Sequence, residues 1–301
     1  MNLATLDTEL RNETTLNLDQ MSSLELIQIM NQEDAKVPEA ISQQLVHIDS
    51  IVQGVIRSFN KGGRLIYLGA GTSGRLGVLD AAECVPTFGV SPDMVVGLIA
   101  GGPKAMTQAV EGAEDSKELA AKDLKAIDLS SKDTLLGIAA SGRTPYVIGG
   151  LEYAKSVGAF CGSLSCNSKS EISQLSDVAI EVVVGPEVLT GSTRLKAGTA
   201  QKLILNMIST AAMVGIGKVY QNLMIDVQPT NKKLVERAKR IIMQATDVDY
   251  KTASQYFEEA NQNVKIAIVM ILTQSSRQEA EDRLVANNGF VRKAMNKEEL
   301  Q

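Results

Sequence analysis

Apolar positions along the chain follow two periods in turn. Through residue 60 they recur at helical spacing. Residues 24–30 form such a run behind the capping-box pair Ser22 and Glu25, and Ile41, Leu45, Ile48, Val52, Val55 and Phe59 line one long stretch opened by Pro38. Lys61-Gly62-Gly63 ends that stretch. From there, short runs that are apolar on both faces alternate with helical patterns, at residues 65–68, 94–100, 134–140, 160–164 and 179–184. Such runs predict an α/β fold built on a doubly wound, five-stranded parallel sheet covered by helices on both sides. Ligands of these sheets sit at the carboxyl ends of the strands, near the point where strand order reverses. After Asp226-Val227-Gln228-Pro229-Thr230 only helical patterns remain. Asn263 is placed to cap residues 264–272, Ser276 with Glu279 repeats the capping-box spacing, and Asn287-Asn288-Gly289 is a helix stop. The expected organisation is an N-terminal helical segment over 1–60 packing on a sheet domain over 61–226, then a small helical bundle over 231–301.

Composition narrows the partners. With 301 residues, 44% hydrophobic and 22% charged, the chain can bury one large core and a smaller one. The net charge of -5 gives no broad basic face, so a small molecule is expected rather than nucleic acid or an anionic membrane surface. No apolar run approaches the roughly 20 residues of a membrane span. Residues 1–13 are polar and mixed in charge, and the expected location is the cytoplasm. Cys84, Cys161 and Cys166 are odd in number, lack paired zinc spacing and read as reduced core thiols. The single histidine, His47, points away from the apolar stripe of its helix and reads as a rim residue. That sets aside Ser-His, Cys-His and His-metal chemistry.

Two loops carry the chemistry. Gly69-Ala70-Gly71-Thr72-Ser73-Gly74-Arg75 follows the first strand run and opens a helix, so its glycines admit a ligand and the helix start offers free N–H groups to an anion. The third glycine comes one residue too early for the dinucleotide pattern, and the hydroxyls of Thr72 and Ser73 suit a terminal phosphate better than a buried pyrophosphate. The run at 134–140 ends likewise in Ser141-Gly142-Arg143-Thr144-Pro145. Two such loops can grip one phosphate through Gly71, Thr72, Ser73, Ser141, Gly142, Arg143 and Thr144. A third stretch, Thr190 to Lys196 preceded by Glu187, either faces the same pocket through Glu187, Ser192 and Lys196 or serves as ordinary helix capping.

These loops resemble the sugar isomerase domain of phosphosugar-binding proteins. Within that group the chain is similar, from about Thr8 to Met295, to the bacterial N-acetylmuramic acid 6-phosphate etherase family. The likeness is carried by Gly69 to Arg75, the segment from Leu79 to Phe88, Gly112-Ala113-Glu114-Asp115, Thr190 to Gly198 and Thr8 to Asn12. It implies a homodimer without metal or cofactor. It also implies a phosphosugar substrate whose D-lactyl ether is cleaved to N-acetylglucosamine 6-phosphate and D-lactate during cell-wall sugar recycling, and a helical tail akin to ubiquitin-associated bundles. Elimination of lactate and syn addition of water need one carboxylate and one carboxylic acid. The family's acidic positions fall on Glu83 and Glu114. Glu83, read at the end of its helix, suits the proton donor, and Glu114, read near a helix start, suits the base at C2, although the two roles can be shared. Asp80, Glu111 and Asp115 read as solvated surface carboxylates. Two other readings use the same loops: an aldose–ketose phosphosugar isomerase, and a non-catalytic sugar-phosphate sensor.

Overall fold

The computed structural model describes residues 6–227, 229 and 231–296. Residues 1–5 and 297–301 of the expected terminal segments, and Gln228 and Thr230 of the break between domains, lie outside the described residues. The described residues form two compact units. One takes in the chain through Ala82 together with Pro92–Ser209, the other Glu83–Ser91 and the chain from Thr210 onward.

The first unit opens with three 3-10 turns between Asp7 and Gln20 and the helices α1 (Ser23–Asp34), α2 (Val37–Ser42) and α3 (Leu45–Asn60). The capping box forms as its spacing predicts: Ser22 accepts from the Glu25 amide and Glu25 reaches back to Ser22. The stretch opened by Pro38 is two helices rather than one. Gln44 leaves the ladder at the break, where its Oε1 accepts from the backbone N–H of Glu181 at 3.2 Å.

Five parallel strands follow, β1 (Leu65–Gly69), β2 (Val95–Ile99), β3 (Thr134–Ile138), β4 (Phe160–Ser165) and β5 (Val178–Glu181), in the order β2-β1-β3-β4-β5. Between and after them run α4 (Gly71–Phe88), α5 (Lys117–Ala126), α6 (Pro145–Ser156), α7 (Glu171–Gln174) and α8 (Lys196–Gly215). Strand β1 is buried along its whole length, which is why its residues are apolar on both faces. Ile66 and Leu68 pack with Leu124, Tyr146, Val147 and Leu151 of α5 and α6. On the opposite face the Tyr67 hydroxyl donates to Asp80 of α4 at 2.8 Å. The step from β1 to β2 goes one way and the return to β3 passes β1, so strand order reverses between β1 and β3. Gly69 pairs with Ile138 in that register, which sets the loops after β1 and β3 side by side at the carboxyl edge.

The second unit holds α9 (Lys232–Thr246), α10 (Tyr250–Glu259), α11 (Val264–Thr273), α12 (Arg277–Ala286) and α13 (Val291–Ala294). Asn263 caps α11 through the Ile266 amide, and Ser276 and Glu279 close the expected capping box on α12. Phe257, Ile242, Ala253 and Ile268 are fully buried in a core of this unit's own. Among the described residues no helix is long and apolar enough to cross a membrane.

Candidate active site

Glycine is what lets α4 begin directly at the end of β1. A Cβ on Gly69 would stand 2.7 Å from the Gly74 amide nitrogen, and one on Gly74 would stand 2.7 Å from the Gly69 carbonyl oxygen. The helix therefore starts at the carboxyl edge of the sheet and presents its first N–H groups there. Ser73 is buried and its Oγ donates to Oε1 of Gln201 at 3.0 Å. Gln201, on α8, is 1% exposed, and its Nε2 has no hydrogen-bond partner. A Cβ on Gly198 would lie 3.4 Å from the Thr72 methyl, so both hydroxyl residues of this loop face the opening turns of α8.

The second loop turns at Gly142, whose φ of +70° and contact with Ser170 exclude any side chain. The Arg143 amide donates to the Ser141 hydroxyl at 3.3 Å. Thr144 occupies the N-cap of α6 without a cap hydrogen bond from its side chain, and Pro145 opens the helix as expected. The Arg143 guanidinium lies 3.8 Å from Glu171, and its Nε is buried without a hydrogen bond.

In the third stretch Ser192 is half-buried, while Glu187 and Lys196 are turned inward. The Glu187 carboxylate accepts from the backbone N–H groups of Lys196 (3.0 Å) and Ala197 (2.9 Å), gripping the start of α8. Burial pushes its pKa up, and these two bonds only partly offset that. The Lys196 ammonium meets Glu33 of α1 at 2.6 Å, both groups being nearly inaccessible. Burial opposes the charge on Glu33, but hydrogen bonds from Lys196 and Lys36 outweigh it and hold the pKa low. Capping and ion pairing thus occupy both side chains.

Glu114 is brought to the first loop. Together with Gly71, Arg75, Glu111 and Asp115 it lines a cavity of about 270 Å³, where its side chain is exposed. Its carbonyl accepts from the Tyr146 amide at 2.9 Å, which ties it to the helix that follows the second loop. Glu114 stands two residues ahead of Ser116, which caps α5 through the Leu119 amide. Glu83 is exposed on α4. The helix does not end beside it but runs on through Pro86 to Phe88, with one ladder bond missing at the proline.

Asp80 departs from the surface reading. It is 5% exposed and accepts from Tyr67, Asn206 (2.6 Å) and Ser209 (3.2 Å), three donors that satisfy a buried carboxylate. Glu111 and Asp115 are exposed as read. His47 is exposed, with Nδ1 3.1 Å from Gln44 Oε1, and all three cysteines are buried thiols. Burial raises the Cys161 thiol to about 12 and that of Cys166 further. Gln201 was not singled out from the sequence, and its one signal is an amide within the apolar run of α8.

The chain is similar to known proteins. The model of the glucokinase regulatory protein N-terminal SIS domain matches residues 47–155, and that of the SIS domain matches residues 106–211. An N-acetylmuramic acid 6-phosphate etherase of Geobacillus sp. is 66% identical, over 97% of this chain and 99% of the relative. N-acetylmuramic acid 6-phosphate etherase 2 of Enterococcus faecalis is 64% identical, over 98% and 100%. A phosphoheptose isomerase structure from Francisella tularensis superposes with a TM-score of 0.52 at 18% identity, covering 64% of this chain and 98% of its own. At that identity the likeness concerns the fold alone.

Proposed function

The chain belongs to the N-acetylmuramic acid 6-phosphate etherase family, a lyase that splits the D-lactyl ether of its substrate in cell-wall amino-sugar recycling, and from this premise we propose how its residues do so. The phosphate is gripped between the loop at Gly71, Thr72 and Ser73 and the loop at Ser141, Gly142, Arg143 and Thr144. The helix starts and hydroxyls at the β1/β3 switch point support this. In the open-chain sugar the C1 aldehyde acidifies the hydrogen on C2. Glu114 takes that proton, the C3–O bond breaks, and Glu83 protonates the departing oxygen, which leaves as lactate. Water then adds syn across the C2–C3 double bond, its hydroxyl to C3 and a proton back to C2. The net change is one ether and one water converted to two hydroxyl compounds, with both carboxyl groups returned to their starting protonation. Ser192 completes the sugar pocket, and Glu187 and Lys196 serve it by fixing the start of α8. The enzyme works in the cytoplasm as a homodimer.

One observation carries this reading: Glu114 and the phosphate loop residue Gly71 line the same cavity. Incubation with N-acetylmuramic acid 6-phosphate should release D-lactate and N-acetylglucosamine 6-phosphate in equal amounts. Glu83→Ala should lose lactate release by at least roughly a hundredfold while substrate binding is retained. Turnover near the wild-type rate in that variant would remove Glu83 from the mechanism.

A further inference from the structure

The leaving group of this reaction carries a carboxylate of its own, and the cavity at Glu114 already holds three, from Glu111, Glu114 and Asp115. A fourth negative charge in a space of about 270 Å³ is repelled unless a cation meets it. Arg75 is the only cation among the described residues lining that cavity. Its Nε donates to the Met106 carbonyl at 3.0 Å, which pins the guanidinium to the wall. The two terminal nitrogens donate to no acceptor among the described residues.

We propose that these two nitrogens receive the lactyl carboxylate of the substrate, so that Arg75 distinguishes the ether substrate from phosphosugars without a lactyl group. The inference rests on the etherase reading. A planar fork suits a carboxylate, and hydrogen bonds between charged partners are the stronger ones. Arg75 is separated from the phosphate hydroxyls by direction: Ser73 and Thr72 face α8, whereas Arg75 lies with Met106 and Glu114. The substrate is divided in the same sense. Its phosphate sits on C6 and its ether on C3, next to the carbon that Glu114 deprotonates.

The test compares N-acetylmuramic acid 6-phosphate with an analogue whose lactyl carboxyl is a primary amide, on the wild-type enzyme and on Arg75→Met and Arg75→Lys. N-acetylglucosamine 6-phosphate serves as competitive inhibitor. With the wild type, kcat/KM should fall roughly ten- to a hundredfold from acid to amide. Arg75→Met should lose a similar factor on the acid and little more on the amide. The inhibition constant of N-acetylglucosamine 6-phosphate should move less than about twofold, because that ligand has no carboxylate. Arg75→Lys should keep part of the preference for the acid. The inference is overturned if the wild type cleaves amide and acid equally, a comparison that needs no variant to fold. It is also overturned if Arg75→Met weakens the inhibitor as much as the substrate. A wild-type enzyme that binds both compounds and releases neither lactate from the acid nor lactamide from the amide overturns the etherase reading and this inference with it.

Discussion

A hydroxyl at a helix start usually closes that helix, and one that does not is available to another partner. Thr144 holds the N-cap of α6 without making the cap bond, and Ser73 is steadied by Gln201 rather than by its own helix. Ser73→Ala and Thr144→Ala should each raise KM for the phosphorylated sugar about tenfold with kcat within about threefold, read from initial rates of lactate release. An unchanged KM in both would count against the two-loop grip. The glycines and hydroxyls of these loops were legible because each follows a strand within a few residues. Gln201 and Asp80 were not. The partner of Ser73 lies 128 positions away, and Asp80 is satisfied by Asn206 and Ser209, 126 and 129 positions away, separations that no local pattern encodes.

Strands and helices were legible wherever their cause is local. Runs apolar on both faces marked all five strands of the sheet, and the Ser-x-x-Glu spacing marked two helix starts. The break between α2 and α3 was not: the residue at that break, Gln44, accepts a bond from Glu181 in the edge strand β5, 137 positions on, which no local pattern encodes. At the opposite end of the sheet, Arg64 ahead of β1 and Asp133 ahead of β3 are joined by an ion pair of 2.9 Å. Burial works against the Asp133 charge, but bonds from Arg64 and the Ser130 amide win and hold its pKa below the usual carboxylate range. A depressed carboxylate contributes stability above its unfolded pKa and loses it as pH falls through the folded one. Urea unfolding should therefore show a stability loss below about pH 4 that Asp133→Asn reduces, with that variant about 2 kcal/mol less stable at pH 7. Equal acid sensitivity in both proteins would place its source elsewhere.

The molecule carries apolar surface that its own fold leaves open. On α1, Leu24 and Ile27 stand one turn apart at 64% and 62% exposure, and Leu189 is 53% exposed. For the proposed homodimer, sedimentation at micromolar concentration should give twice the 32.2 kDa of the chain, and Leu24→Glu with Ile27→Glu should return it to a single-chain mass. A wild-type mass of one chain would refute the dimer. The same N-terminal helix is also anchored inward through Glu33, whose partner Lys196 comes 163 positions later. At about 5–20 residues per second of synthesis, roughly 8 to 30 seconds separate the appearance of the two. The first helix thus waits for residue 196 of 301 before its inward ion pair can form. Until the start of α8 emerges, Glu33 has only its neighbour Lys36 as a partner and the opening helices lack their inward anchor, a window in which a chaperone or protease meets them before the fold does.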